Sequence, residues 1–173
     1  MRKVLLGVAS LFMLVAAKAQ TGKNQFGVEG DIGIGTASGS KVSYGVSAKY
    51  LNGVGNSGQT TFSLGFLKSS TSEEINGVKY KTSTTLIPLL VGYRQHFNAF
   101  YVEPQAGLSI NTNKATVGNE SESKTKLAFA YAVGAGYITE GGFDLGVRFF
   151  NTTQSGSKGI FVFHVGYNFT LGR

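Results

Sequence analysis

Residues 161–171 read FVFHVGYNFTL, and apolar side chains recur there at every second position. One face carries Phe161, Phe163, Val165, Tyr167 and Phe169, and the other carries His164, Gly166, Asn168 and Thr170. Successive side chains of a β-strand point to opposite faces, so a period of two predicts a strand. The stretch therefore predicts a strand with one apolar face and one small or polar face.

The same alternation recurs in seven earlier segments of the chain. They cover residues 25–34, 42–50, 61–66, 82–94, 100–110, 127–137 and 143–149, with 82–94 the least regular. Turn-rich stretches separate them. Eight such segments predict an all-β fold, an eight-stranded antiparallel up-and-down barrel.

Composition narrows the class of protein further. The chain has 173 residues, a one-domain length, and no cysteine for a disulfide or a thiolate metal site. Its formal charge is +7, but Arg2, Lys3 and Lys18 lie near the start and the other basic residues are scattered. Without a basic patch, nucleic-acid binding is a poor interpretation.

Residues 1–19 have the three regions of a secretory signal peptide. Arg2 and Lys3 precede an apolar run over residues 4–17, and Ala17-Lys18-Ala19 matches a small-x-small cleavage signal. The run is shorter than the roughly 20 residues of a membrane-spanning helix. We therefore expect a signal peptide over 1–19 and a barrel domain over 20–173.

The connections between segments differ at the two ends of the predicted barrel. Short stretches at 52–58, 95–99 and 139–142 lie at one end, and longer polar stretches at 70–78, 111–125 and 151–158 lie at the other, with a short connection at 36–40. Short periplasmic turns and longer external loops are typical of outer-membrane barrels.

The apolar face of the segments favours lipid as its surroundings. It carries no ionised side chain except at strand ends, and a Lys or Arg facing lipid at the midplane would cost about 2–4 kcal/mol. The opposite face is mostly Gly, Ala, Ser and Thr, which suits the crowded interior of an eight-stranded barrel. Aromatic residues near strand ends, Tyr50, Tyr93, Phe100, Tyr137, Phe143 and Tyr167, match interfacial girdles.

Three motifs give the chain a family resemblance: IPLLVGYRQ at 87–95, FYVEPQAGLSI at 100–110 and FVFHVGYNFTL at 161–171. With them the chain resembles the outer-membrane β-barrel domain family, the small barrels similar to OmpX and the OmpA transmembrane domain. The resemblance implies a monomer in the cell outer membrane, in contact with membrane lipid and lipopolysaccharide and inserted by the barrel-assembly machinery. It names no extracellular partner. Phe169 lies four residues before the end, so the terminal aromatic residue usual in this family is displaced here.

Seven charged residues and one histidine fall on the predicted lumen face: Glu29, Asp31, Lys49, Arg94, Glu103, Asp144, Arg148 and His164. Charges removed from water need partners, so we expect an interior ion-pair network that fills the lumen. The alternative is a narrow ion path gated by these residues. Arg148→Ala should destabilise the barrel, because it strands buried carboxylates.

Pro88 and Pro104 interrupt this pattern. A proline inside a sheet removes a ladder hydrogen bond, so each is expected to mark a bulge. Residues 86–91 are apolar on both faces, and a shift of one residue there would move Arg94 out of the lumen.

No catalytic set is legible in the sequence. His96 lies in a predicted short turn and is expected to be solvated, and no Ser–His–acid group accompanies His164. We expect no enzyme activity, cofactor or metal, and a structural or surface-interaction role. The alternatives are a narrow porin-like channel, an adhesin that binds through the 111–125 loop, and a soluble lipocalin-like carrier.

Overall fold

A computed structural model describes residues 24–37, 40–75, 78–118, 120–154 and 156–171. The predicted signal peptide, residues 1–19, lies outside them. The strands are β1 (Gln25–Gly35), β2 (Val42–Val54), β3 (Gly58–Ile75), β4 (Val78–Phe97), β5 (Phe100–Val117), β6 (Glu120–Ile138), β7 (Phe143–Thr152) and β8 (Ile160–Thr170). Among these residues no helix is long and apolar enough to cross a membrane.

The eight strands form a closed antiparallel barrel, as the alternation predicts. Each strand pairs with the next in sequence, and β1 closes the ring on β8, with Phe26 opposite Phe169. Closure pairs the backbone groups of every strand across the barrel wall, which a hydrocarbon environment requires.

The phase of the strands also agrees with the sequence. Large apolar side chains point outward, among them Phe100 at 63 % and Leu127 at 67 % exposure, whereas Glu29 and Lys49 are buried inside. A lipocalin-like carrier would have its apolar face inside. The soluble-carrier alternative is therefore wrong.

Aromatic residues pack edge-to-face on the outside of the barrel near the short turns. The rings of Phe100 and Tyr137 lie 5.2 Å apart, as do those of Phe143 and Tyr167, and Tyr167 also contacts Phe169 at 4.7 Å. Short turns of outer-membrane barrels face the periplasm. We therefore refer to this end as periplasmic and to the opposite end as extracellular.

The predicted loops at 70–78 and 111–125 are wrong. β3 and β4 continue as a hairpin as far as Ile75 and Val78, and β5 and β6 as far as Val117 and Glu120. Ser, Thr, Asn, Lys and Glu dominate these stretches, and such a polar composition predicts loops even where the chain forms paired strands. Residues 69–75, 78–85, 111–117 and 120–126 instead form four paired strands, the extracellular sheet.

The predicted proline bulges are also wrong. Beside Pro88, the β3–β4 pairing is interrupted. Leu64 pairs with Leu89 before the interruption, and Leu67 pairs with Leu86 after it. Each strand therefore has two residues in the interrupted part, so neither strand carries an extra residue. Beside Pro104, the β4–β5 pairing lapses in the same way without a shift. Each proline interrupts the backbone pairing with one neighbouring strand, but the register is the same on both sides of the interruption. Neither proline therefore marks a bulge, and the side chain of Arg94 points into the lumen as predicted.

Candidate functional site: the interior of the barrel

The structure places all eight predicted lumen residues inside the barrel and brings them together. β1 supplies Glu29 and Asp31, β2 Lys49, β4 Arg94, β5 Glu103, β7 Asp144 and Arg148, and β8 His164; all are buried. Each occupies a lumen-facing position of its strand, which explains how residues distant in sequence converge.

Arg94 lies at the centre of this charge network. Its Nη1 donates to Oδ2 of Asp144 at 2.8 Å, and its Nη2 donates to Oε2 of Glu103 at 2.8 Å. Nε also donates to Glu103, at 3.0 Å. The guanidinium is fully buried, so these two carboxylates replace the water it has lost.

Two further cations extend the network across the lumen. Lys49 Nζ lies 2.8 Å from Oε1 of Glu29 and 3.3 Å from Oε2 of Glu103. Arg148 donates to Oδ1 of Asp31 at 3.1 Å. The four carboxylates, the three cations and His164 thus form one connected group.

Tyr101 joins the network and was missed in the sequence analysis. Its hydroxyl donates to Oδ1 of Asp144 at 2.6 Å and lies 3.0 Å from Nε2 of His164. Its ring lies under the guanidinium of Arg94, with 3.7 Å between Cζ and the ring centroid. The signal was available: Tyr101 is two residues before Glu103 and shares its phase, but aromatic residues were assigned to the lipid face.

Glycines on neighbouring strands make room for these side chains. A Cβ at Gly136 would collide with the Tyr101 hydroxyl, and a Cβ at Gly146 would lie 2.6 Å from Cε1 of His164. The small residues of the lumen face therefore fit particular large neighbours.

Glu29, Asp31 and His164 offer ligand atoms within 4.8 Å of one another, a spacing that a metal site requires. However, Lys49 contacts Glu29 and Arg148 contacts Asp31, so cations of the chain already neutralise both carboxylates. A metal ion would have to displace them. This geometry favours an ion-pair network over a metal centre.

An apolar layer lies on the extracellular side of the charge network. It consists of Leu67, Leu90, Ala130, Ala132, Phe150 and Val162, with Leu86 and Ile160 packed against it. Along β4, β7 and β8, Leu90, Phe150 and Val162 each lie closer to the extracellular end than the nearest network residue. An ion moving through the lumen would have to pass these side chains, which cannot replace its hydration shell.

The periplasmic end carries a polar belt. Gln59 donates to Gln25 at 2.9 Å, and its Oε1 lies 2.8 Å from Nε2 of His96. His96 belongs to β4 and is half-buried, so the expectation of a solvated turn histidine is wrong. Together with the short turns, this belt surrounds a cavity of about 490 Å³.

The apolar exterior and the eight-stranded closed sheet define the class of the protein: an integral outer-membrane β-barrel. The family model of the outer membrane protein beta-barrel domain matches residues 5–169 of the chain. The chain therefore belongs to the outer membrane protein beta-barrel domain family. No curated protein sequence matches it.

Solved structures share the fold at low sequence identity. Ail of Yersinia pestis, in complex with the heparin analogue sucrose octasulfate, is 16% identical with a TM-score of 0.61, over 85% of this chain and 97% of that one. The N-terminal β-barrel domain of Pseudomonas aeruginosa OprF is 13% identical with a TM-score of 0.57, over 86% and 100%. Neisserial surface protein A is 12% identical with a TM-score of 0.52, over 86% and 96%.

Proposed function

We propose that this chain is a monomeric, non-enzymatic outer-membrane barrel whose lumen is closed and whose extracellular sheet is a surface for interaction. The observation that carries the proposal is the unequal length of the strands. β1, β2, β7 and β8 have 11, 13, 10 and 11 residues, whereas β3 to β6 have 18, 20, 18 and 19.

The extra length of β3 to β6 is more than a membrane requires. A tilted strand crosses the bilayer with about 9–11 residues. The β2–β3 pairing ends at Lys68, and the β6–β7 pairing begins at Ala130, yet the three pairings between them continue to the hairpin tips. Four strands thus extend beyond the barrel wall into the extracellular space.

The extracellular sheet has the properties of a recognition surface. Its outer strands, residues 69–75 and 120–126, each leave one backbone edge unpaired within the described part of the chain. Such edges accept an added strand from a partner. Both signs of charge are exposed on it, with Glu122 and Lys124 3.4 Å apart. The alternative of an adhesin that binds through a 111–125 loop therefore becomes an adhesin that binds through the extracellular sheet.

The interior supports a closed barrel over a narrow pore. The apolar layer occupies part of the lumen that a polar path would need, and the network pairs the charges that a conducting path would need. Eight strands leave an interior just wide enough for side chains. A stabilising role for Glu29, Asp31, Lys49, Arg94, Glu103, Asp144, Arg148 and His164 follows from the same geometry.

The outer face of the barrel favours lipid and lipopolysaccharide as its membrane partners. Lys68 follows Leu64 and Phe66 on the outward face of β3, where the apolar band ends, and it is exposed. An ammonium at this level would meet the phosphates of the outer leaflet. Insertion by the barrel-assembly machinery is part of the proposal, since every strand must be paired on membrane entry.

A saccharide is a reasonable class of partner outside the membrane. Ail was solved with a sulfated saccharide bound. The extracellular sheet of this chain is polar and carries both signs of charge, which suits a mixed polar partner better than a polyanion.

The interaction role is tested by trimming the extracellular sheet. Residues 72–81 are replaced by Asn-Gly, so that a two-residue turn joins the paired residues Thr71 and Thr82. Residues 115–122 are replaced in the same way, so that a turn joins Lys114 and Ser123. Wild type and trimmed protein, each shown by heat-modifiable gel migration to be folded, are compared on arrays of uncharged glycans and on immobilised extracellular-matrix proteins. The proposal expects binding that only the wild type shows. Equal binding by both, or none by either, would overturn it and leave a structural role.

A further inference from the structure

A vestibule with mixed polar and apolar walls lies above the apolar layer at the extracellular mouth of the barrel. It comprises two adjoining cavities of about 340 and 250 Å³, which share Thr84, Leu86, Lys158 and Ile160 as lining residues. Leu67 and Phe150 of the apolar layer form part of its floor. Its size falls within the range of about 300–1,000 Å³ that small-molecule sites occupy.

The charge of the vestibule has one sign. Among the described residues that line it, Lys41 and Lys158 are charged and none is acidic. Neither lysine forms an ion pair with any residue of the described part of the chain. This contrasts with the interior of the barrel, where Lys49 and Arg94 are both paired.

The two lysines flank the end of β1. At this end Gly35 pairs with Ile160 of β8, and Ile34 pairs with Val42 of β2. Lys158 lies two residues before Ile160, and Lys41 lies two residues before Ser43, so both lysines continue the lumen-facing phase of their strands. A backbone hydrogen bond of 2.8 Å from Thr36 to Gly159 ties the Lys158 segment to β1. In these registers Lys41 lies opposite Gly35, and Lys158 lies two residues further along. With neighbouring strands about 4.8 Å apart, the two side chains start roughly 12 Å from each other, and their ammonium groups can converge on one anion.

The walls of the vestibule offer hydroxyl and amide groups, and part of them is already ordered. Thr84 donates to Oδ1 of Asn113 at 2.8 Å, and Asn111 donates to Gln154 at 2.9 Å. Asn113 also lines the second cavity. Hydrogen-bonding walls over an apolar floor suit a sugar ring, which presents hydroxyls at its edge and C–H groups on its face.

We infer that this vestibule binds an anionic sugar, with its phosphate, sulfate or carboxylate group held by Lys41 and Lys158 and its ring seated on Leu86 and Ile160. A lysine ammonium is a point-charge partner for such groups. The inference rests on the proposed surface-interaction role and adds a ligand class and a site to it. The ligand is either a free sugar or the end of a surface polysaccharide, since both present the same chemistry.

Isothermal titration of the folded protein in non-ionic detergent tests the inference. Glucose 6-phosphate is the probe, glucose and inorganic phosphate are the reference ligands, and a trisaccharide that ends in the same phosphorylated sugar represents a polymer end. The double variant Lys41→Gln, Lys158→Gln is compared with Lys81→Gln, Lys114→Gln, which removes the same charge from the extracellular sheet outside the vestibule lining.

The expected result is glucose 6-phosphate binding that weakens at least tenfold in the vestibule variant and less than twofold in the control variant. Tighter binding of the monosaccharide assigns the ligand to a free sugar, and tighter binding of the trisaccharide to a polymer end. Equal losses in both variants, equal affinity for inorganic phosphate, or no binding by the wild type would overturn the inference. The trimmed protein retains Lys41 and Lys158, so failure here is distinguishable from failure of the interaction role.

Discussion

Arg94 on β4 and Asp144 on β7 meet inside the barrel, with 2.8 Å between Nη1 and Oδ2 and both side chains fully buried. Fifty residues of sequence separate them, and the closed ring brings them together. The pair joins strands that are not neighbours, and such links stabilise the barrel beyond its backbone ladder. Removal of one partner leaves the other as an uncompensated buried charge.

The two lumen arginines should therefore differ in their effect on stability. Arg94→Ala strands Glu103 and Asp144 and should lower the free energy of unfolding by about 3–5 kcal/mol, the cost of breaking a buried pair. Arg148→Ala should cost less, because its contacts to Asp31 and Glu29 are longer, at 3.1 and 3.9 Å. Urea unfolding in lipid vesicles measures both. An unchanged midpoint for Arg94→Ala would contradict a stabilising network.

Gly146 should tolerate no side chain. A Cβ there would lie 2.6 Å from Cε1 of His164 and 2.8 Å from the carbonyl oxygen of Ala135, so Gly146→Ala should destabilise by about 1–3 kcal/mol, as overpacking does. Gly30→Ala is the matched control on the lipid face, where the nearest atom would be 3.8 Å away. The same unfolding assay applies, and equal stability of the two variants would mean that His164 is not held as described.

The cost of a charge on the outer face should depend on depth. Val133 lies near the middle of the lipid-facing part of β6, and Leu127 lies towards its extracellular limit. Val133→Lys should cost about 2–4 kcal/mol and Leu127→Lys about 0–1 kcal/mol. The comparison requires refolding into lipid, because detergent does not fix a midplane. A reversed order would place the membrane at a different level of the barrel.

Phe150 tests the apolar layer. It is buried against the other apolar side chains of the layer, so Phe150→Ala should leave a cavity and cost about 3–5 kcal/mol. Phe149→Ala, on the outer face of the same strand, retains the interior and should cost markedly less. Equal losses would mean that the layer is loosely packed.

The barrel and the identity of its lumen residues could be predicted from sequence because strand phase alone decides both. A period of two needs no tertiary information, and Glu29 and His164 follow from it directly. The partners could not be predicted, since pairing across the lumen depends on shear and on side-chain reach. Thus the alternation places Tyr101 on the lumen face, but it shows neither the contacts of Tyr101 nor the Arg94–Asp144 pair.

The extracellular sheet was mispredicted for a different reason. Residues 111–125 lack apolar alternation because both faces meet water, so the signal that marks a strand in lipid disappears there. Backbone pairing with neighbouring strands holds them extended all the same. The apolar layer could not be predicted either, because its members, such as Ala130 and Leu90, lie on different strands and only the register of the closed barrel brings them together.

Conductance tests the closed barrel most directly. Wild-type protein is reconstituted into planar bilayers, and its insertion is verified by protection of the barrel from added protease. The apolar layer and the paired charges predict no stepwise current at any applied voltage. Discrete, reproducible conductance steps from the inserted wild-type barrel would contradict the closed lumen.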